Sequence, residues 1–414
     1  MILRDLTPAL KANLRRYPVV TLLGPRQSGK TTLAQTTSDK PYANLESPDV
    51  RAFAQQDPRG FLAQFPKGGV LDEIQRVPEL LSWIQTDADA VNKPGRWILT
   101  GSHQPALRNA VAQSLAGRTA LLRLLPLSLG ELAGAGINLE ADALIVAGGF
   151  PRLYAQKIPP ARWHADYLAT YAERDVRSLA TVRDISTFQR YMGLLAGRTG
   201  SAVNWSQLGA DAGVSEVTAK AWAGLLEAGF LAQELRPWYA NLGQRLKKHP
   251  KVYWSDTGLA SFLTGVTDAA HLTTHPARGG LFENLIVSET FKALAHWESS
   301  ARAWFLSTAR EEVDLIIEAG GGTLAVEIKS GRTVAGEWAD KLRKATPHPA
   351  LRTQARMVVY GGDEIQTRGD VEICPWWLYP ARLAAWLRKQ DAAPHAPNPK
   401  KLEAILRAGR KAIA

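Results

Sequence analysis

Between the apolar run Val19-Val20-Thr21-Leu22-Leu23 and the helix-compatible stretch Thr32-Leu33-Ala34-Gln35-Thr36 stand Gly24-Pro25-Arg26-Gln27-Ser28-Gly29-Lys30-Thr31. A glycine-rich turn joining a strand to a helix gathers backbone N–H groups around phosphate. The lysine at its end reaches the β and γ oxygens, and the hydroxyl beside that lysine ligates Mg²⁺. Lys30 and Thr31 fill those positions, with Gly24 through Thr32 forming the binding loop. Such a loop commits the N-terminal part of the chain to an α/β fold and to a nucleotide.

The next strand pattern, Gly69-Val70-Leu71-Asp72-Glu73, ends in two carboxylates. Beside a phosphate loop, the first carboxylate of such a pair orders the water shell of Mg²⁺ and the second polarises the attacking water. Asp72 is therefore assigned to Mg²⁺ and Glu73 to the general base, with ATP as the nucleotide. A third strand, Arg96-Trp97-Ile98-Leu99-Thr100, runs into Gly101-Ser102-His103, where Ser102, or Thr100, is placed to sense the γ-phosphate. Arg118, ahead of the strand Ala120 to Leu125, is expected to act on a neighbouring subunit's γ-phosphate. The plain alternative for it is an ion-paired surface residue.

At 414 residues the chain is long enough for two or three domains. Its 50 Lys and Arg against 39 Asp and Glu give a net charge of +11, which favours a polyanionic partner, DNA or an anionic membrane surface. One cysteine, Cys374, excludes an internal disulfide and a multi-thiolate zinc site. No apolar run approaches the ~18 residues of a membrane span, and Met1 to Arg16 is polar, so a cytoplasmic protein is expected.

The quoted motifs, together with Ala116-Gly117-Arg118, Pro126-Leu127-Ser128, Gly148-Gly149-Phe150-Pro151 and Glu173-Arg174-Asp175-Val176, resemble the AAA+ class of ATPases. More narrowly, the chain looks like prokaryotic proteins that join an AAA+ module to a C-terminal domain of restriction-endonuclease-like fold. The resemblance implies a ring-forming homo-oligomer, hexameric in the usual case, and a lid arginine, here Arg174, that closes on the nucleotide. Family members usually carry an acidic residue after Gly-Phe-Pro; Arg152 stands there, and no role passes to it.

The expected order is an ATPase core over 1–136, a helical lid over 137–190, a winged-helix-like unit over 191–250, a nuclease-like α/β domain over 251–380 and a basic tail over 381–414. In the lid, Trp163, Tyr167 and Tyr171 share a helix face and are read as core. Trp205 to Trp222 reads as helix, turn at Gly213, and a second helix capped by Ser215, with Leu208, Val214 and Val217 buried and Glu216, Thr218 and Lys220 exposed. Arg236, Arg245, Lys247, Lys248 and Lys251 follow as candidate phosphate contacts.

Further on, Glu312 to Glu318 and Thr323 to Lys329 form an apparent hairpin bringing together Asp314, Glu327 and Lys329. Two carboxylates and a lysine suit a metal-dependent phosphodiesterase, with Asp314 and Glu327 as ligands of a second metal. With Glu283 on the preceding helix, the pattern resembles the PD-(D/E)XK nucleases. Whether such a domain cuts or only grips is left open by the residues. From Arg382 onward eight basic residues face two acidic ones, and Pro394, Pro397 and Pro399 break the segment into two short helical pieces, which reads as a mobile arm gripping phosphate backbone or, plainly, as a solubilising tail. The leading expectation is an ATP-driven remodeller of branched DNA; the alternative is a nucleotide-gated signalling or defence switch that docks a protein.

Overall fold

The computed structural model describes residues 2–102, 114–171, 184–239, 249–308 and 311–413. Its first layer is a parallel sheet of β1 (Val19–Gly24), β2 (Tyr42–Asn44), β3 (Val70–Asp72), β4 (Trp97–Ser102) and β5 (Thr119–Arg123), in the order β2-β3-β4-β1-β5. Strands β1 and β4 are buried along their whole length, hence their unbroken apolar character. Because β4 stands between β1 and β3, residues leaving its end emerge between the phosphate loop and the acidic pair. The pattern from Asp49 to Phe61 forms two helices, Pro48–Gln56 and Pro58–Ala63. Pro58 has no N–H to continue the first, and Asp57 caps the second by accepting from Gly60 N at 2.8 Å.

After β5 come the helices Leu129–Gly134, Ala141–Ala147, Pro151–Ala155 and Pro160–Tyr171. Trp163, Tyr167 and Tyr171 are buried and stack in succession beneath Phe150, so the aromatic face is core, as expected. Gly148 allows a close turn here: at φ 72, a Cβ on it would lie 2.3 Å from Asp256 Oδ1, whose partner oxygen accepts from Gly149 N at 2.6 Å.

Helices Ile185–Ala196, Trp205–Ala212 and Glu216–Ala228 then lead into an antiparallel pair, β6 (Ala232–Leu235) and β7 (Lys251–Trp254). Ser215 caps the third helix by accepting from Thr218 N at 3.1 Å. Val217, expected inside, is 78% exposed. The buried stripe is Ala219, Trp222, Ala223 and Leu226, and the helical period leaves position 217 outside it. Strand β7, expected to open the C-terminal domain, pairs instead with β6.

Past the helices Thr257–Leu263, Ala269–Thr274 and Arg278–His296 lies a mixed sheet. Its strands are β8 (Arg302–Ser307), β9 (Glu312–Ala319), β10 (Gly322–Lys329), β11 (Thr353–Tyr360), β12 (Gln366–Arg368) and β13 (Val371–Pro375), in the order β12-β13-β11-β10-β9-β8. The expected hairpin is the antiparallel β9–β10 pair, while β11 joins β10 in parallel. One contiguous buried cluster runs from Leu127 through Trp222 and Ile317 to Leu406, joining the helices after β5, the helix-turn-helix segment and one face of the C-terminal sheet, while the other face of that sheet packs a separate cluster with Val313, Ile316, Leu342 and Val358.

The basic tail is not a mobile arm. The two expected helical pieces form, as Tyr379–Lys389 and Pro399–Lys411, but the second is docked through buried Leu402 and Leu406. Arg382 pairs with Glu372 and Glu403, Arg407 with Glu403, and Arg410 with Asp363 and Glu140. A count of charges passes over the apolar i, i+4 stripe that makes this segment dock. Among the described residues no helix is long and apolar enough to cross a membrane.

Candidate nucleotide site and a second carboxylate cluster

The loop after β1 has the backbone its sequence demands. Gly24 sits at φ 155, where a Cβ would lie 2.2 Å from Leu124 O, and Gly29 at φ 94 caps the helix Lys30–Thr37. The first-turn N–H groups of that helix have no partners within it and are available to an anion. Lys30 is buried, its Nζ donating to Gly24 O at 3.0 Å and Pro25 O at 2.8 Å. Ser28 Oγ is buried and finds no hydrogen-bond partner among the described residues. An ammonium folded onto the loop carbonyls and an orphaned hydroxyl fit a loop shaped for phosphate.

Asp72 is held by three hydroxyls. Thr31 Oγ1 donates to its Oδ2 at 2.9 Å, Tyr42 OH to the same oxygen at 2.7 Å, and Thr100 Oγ1 to Oδ1. Burial and the adjacent Asp72 charge hold the Tyr42 phenol well above its ordinary range, so it remains a donor. Glu73, at φ 57, turns the chain out of β3. Gln75 Nε2 donates to Glu73 Oε2 and, at 2.9 Å, to Ser102 Oγ. Thr100 therefore belongs to the Asp72 side of the site and Ser102 to the Glu73 side. A cavity of ≈ 540 Å³ adjoins Gly29, Thr32 and Leu33 and is walled by Arg4, Leu127 and Tyr154. Its volume suits a nucleoside.

Sequence reasoning missed Arg4. Its Nη1 donates to Ser28 O at 2.5 Å, Nη2 to Leu125 O at 2.6 Å and Nε to Glu131 Oε1 at 2.9 Å, with the pair almost wholly buried. Glu131 closes a capping box with Ser128, whose hydroxyl donates to Asp5 Oδ2 at 2.7 Å. Burial, then the Glu131 charge, pushes the Asp5 carboxyl up to about 7. From the other side, the helix Arg278–His296 grips the same segment. His296 Nε2 accepts from Leu125 N at 3.1 Å, Lys292 Nζ donates to Leu127 O at 2.9 Å, and Glu289 Oε2 accepts from Leu129 N at 2.8 Å. Burial pushes His296 down to about 3, so it is neutral and able to accept.

Arg118 lies at the start of β5, where Thr119 is in register with Val19 at the beginning of β1. The phosphate loop leaves β1 at the opposite end, so Arg118 does not reach its own loop. Its guanidinium makes a bidentate pair with Asp89 at 2.5 and 2.9 Å. Arg174 lies outside the described residues, as do Arg245, Lys247 and Lys248.

The C-terminal cluster assembles as the spacing predicts. Asp314 on β9 accepts from Ile328 N at 2.7 Å through Oδ2, Lys329 Nζ lies 2.5 Å from Glu327 Oε1 on β10, and Glu283 faces them from the long helix. Burial, then the Asp314 charge, pushes Glu283 and Glu327 each up to about 7; burial also raises Asp314. Two β7 residues enter here: Lys251, expected from sequence as a phosphate contact but turned onto carboxylates instead, and Tyr253, which the sequence did not single out. Lys251 Nζ reaches Glu283 Oε1 at 3.2 Å and Glu312 Oε1 at 2.6 Å, and Tyr253 OH donates to Glu283 Oε1.

Residues 16–133 match an AAA domain family, residues 139–270 a domain of unknown function (DUF8612), and residues 278–379 another (DUF4143). Among solved structures, the Walker-type ATPase paby2304 of Pyrococcus abyssi aligns with 63% of this chain and 94% of its own at 16% identity, with a TM-score of 0.42. The uncharacterized proteins Rv2008c of Mycobacterium tuberculosis and Mb2031c of Mycobacterium bovis are each 30% identical over 369 residues, spanning 87% of this chain and 80% of theirs. The chain belongs to the family of these two mycobacterial proteins and is an ATPase of the AAA type.

Proposed function

We propose that this ATPase acts on DNA in the cytoplasm, hydrolysing ATP to change how a winged-helix unit and a nuclease-like C-terminal domain grip branched or duplex DNA. Lys30 and the backbone N–H groups of residues 24–32 bind the phosphates. Thr31 and Asp72 are the residues that would hold Mg²⁺, directly or through water, and the ion supplies charge neutralisation at the β and γ oxygens. Glu73 accepts the proton of the attacking water, while Ser102 and Gln75 position its carboxylate. Tyr42 and Thr100 keep Asp72 turned toward Thr31. Arg118 serves a neighbouring copy in a homo-oligomeric, hexameric ring, exchanging Asp89 for the γ-phosphate there.

The observation that carries this reading is the bracketed segment Leu125–Leu129. It is tied to the phosphate loop by Arg4 and to the C-terminal domain by Glu289, Lys292 and His296. A nucleotide that shifts Ser28 bears directly on that segment, and through it on the C-terminal half. The net charge of +11 supports a nucleic acid as the load. ATP turnover by the purified protein tests it: four-way or forked DNA should raise the rate several-fold, and an unchanged rate across DNA structures would refute the DNA assignment.

The second reading, a nucleotide-gated switch docking a protein, is favoured by the exposed helix of the helix-turn-helix unit. Val217 is exposed there, and Lys220 is paired with Glu216 at 2.6 Å, which leaves a surface poor in phosphate contacts. Under that reading turnover is indifferent to DNA.

A further inference from the structure

The residues expected to hold a second metal do not fit one as they stand. Glu283 Oε1 is taken by Lys251 and Tyr253, and a Cβ on Gly200 would come within 2.9 Å of Oε2, so the turn at Gly200 packs against the other oxygen. Asp314 Oδ2 is occupied by the Ile328 N–H, and Glu327 Oε1 by Lys329. Among the described residues, the trio whose ligand atoms lie mutually within 4.8 Å is elsewhere, Asp5, Glu131 and His296. There too the donors are spent: Glu131 on Arg4, Asp5 N and Ser128 N, and His296 Nε2 on Leu125 N.

We infer that Lys251 is a resident cation of the C-terminal carboxylate cluster, taking up the Glu283 oxygen that a divalent ion would need and fastening the β6–β7 ribbon to Glu283 and Glu312. Four carboxylates, Glu283, Glu312, Asp314 and Glu327, converge on two ammoniums, Lys251 and Lys329. The Lys251 side chain is 1% exposed, a placement that an ammonium tolerates only among anions. Burial alone would push Lys251 down; Glu283, Asp314 and Glu312 hold it above the ordinary lysine range, so it stays charged. Its charge also reaches Asp314 and Glu327. A divalent ion entering this space meets a fixed positive charge and a ligand already engaged. The C-terminal domain therefore grips without a metal, and the helix-turn-helix unit, which brings both Lys251 and Gly200, is what closes the site.

Mn²⁺ titration of the full-length, nucleotide-free protein, read by the paramagnetic resonance of the free ion, tests this. Wild type should bind no stoichiometric Mn²⁺ that depends on the cluster, so Asp314→Asn should leave its titration unchanged. Lys251→Met, which keeps the stem and removes the charge, should gain about tenfold or more in Mn²⁺ affinity. That gain should vanish in Lys251→Met combined with Asp314→Asn. A wild-type site lost on Asp314→Asn would overturn the inference, and this comparison stands even where Lys251→Met does not fold. A folded Lys251→Met protein binding no more Mn²⁺ than wild type would overturn it equally.

Discussion

Replacing Arg4 by Met removes a guanidinium that serves three acceptors at once: Ser28 O, Leu125 O and Glu131 Oε1. Glu131 is the costly one, since its side chain has no exposure and Arg4 is its counterion. Breaking a buried pair by removing one partner costs about 3 to 5 kcal/mol. The two carbonyl bonds come from the same group and do not add in full, so the whole loss should fall in that range. Replacing Glu131 by Gln as well removes the stranded charge, so the double variant should lose at least about 1 kcal/mol less than the two single losses summed. The defect of Arg4→Met should also shrink toward acid pH. Burial drives the Glu131 carboxyl up, and at present Arg4 helps to hold it below the ordinary carboxylate range. Without Arg4 its folded value rises, so its contribution is retained at low pH and lost as pH climbs through that value. Thermal melts of the four proteins between pH 5 and 8 measure both effects. Losses that add within about 0.5 kcal/mol, at every pH, would refute the coupling drawn between Arg4 and Glu131.

Lys30→Ala should abolish ATP binding, whereas Glu73→Gln should bind ATP and not turn it over, because Lys30 acts on ground-state phosphate and Glu73 only on attacking water; equilibrium binding and phosphate release separate the two. Arg118→Ala should bind ATP normally and hydrolyse it poorly, and mixing it with Lys30→Ala subunits should restore turnover if the arginine works across an interface; failure of that mixing experiment argues for the Asp89 pair as its whole role. ATP affinity of Arg4→Met should fall about tenfold from the loss of one charged hydrogen bond to the loop, with equilibrium nucleotide binding as the check.

Much of the ATP site was legible because its chemistry is local. Gly24 to Thr32 is one turn and Asp72-Glu73 one strand end, so each half is readable locally, and the parallel sheet then sets Thr31 beside Asp72 across 41 residues of chain. Arg4 was not legible, since its three partners stand 24, 121 and 127 residues away and an isolated arginine near an N-terminus has no periodicity to betray it. Tyr42 was hidden in a three-residue strand, and Gln75 in a motif whose neighbours drew the attention. The β9–β10 hairpin and its carboxylates were readable from the period of two. The lysine that occupies them was not, because Lys251 reads equally well as a surface phosphate contact until β7 is paired with β6.

The C-terminal helix Pro399–Lys411 separates a docked element from a DNA-gripping arm. Its Leu402 and Leu406 are buried against the helix Leu129–Gly134 and the Trp376–Leu378 turn, while Lys400 and Lys401 face solvent. Truncating a buried leucine to Ala usually costs about 2 to 5 kcal/mol, and the cost falls toward the lower end where the surroundings can close in. A gap of ≈ 40 Å³ already lies in this seam, beside Leu132, Leu144, Trp376 and Leu406, and gives neighbours room to move. Leu406→Ala should therefore lose about 2 to 3 kcal/mol, seen as a lower melting temperature. Lys400→Glu with Lys401→Glu should leave the melt within about 0.5 kcal/mol of wild type, because both side chains are exposed. If the same two lysines face the DNA, the charge reversal should weaken DNA binding and flatten its dependence on salt. A normal melt for Leu406→Ala would show that the helix is held by something other than this apolar stripe. In that case the charged face, not the buried one, would be what the segment exists to present.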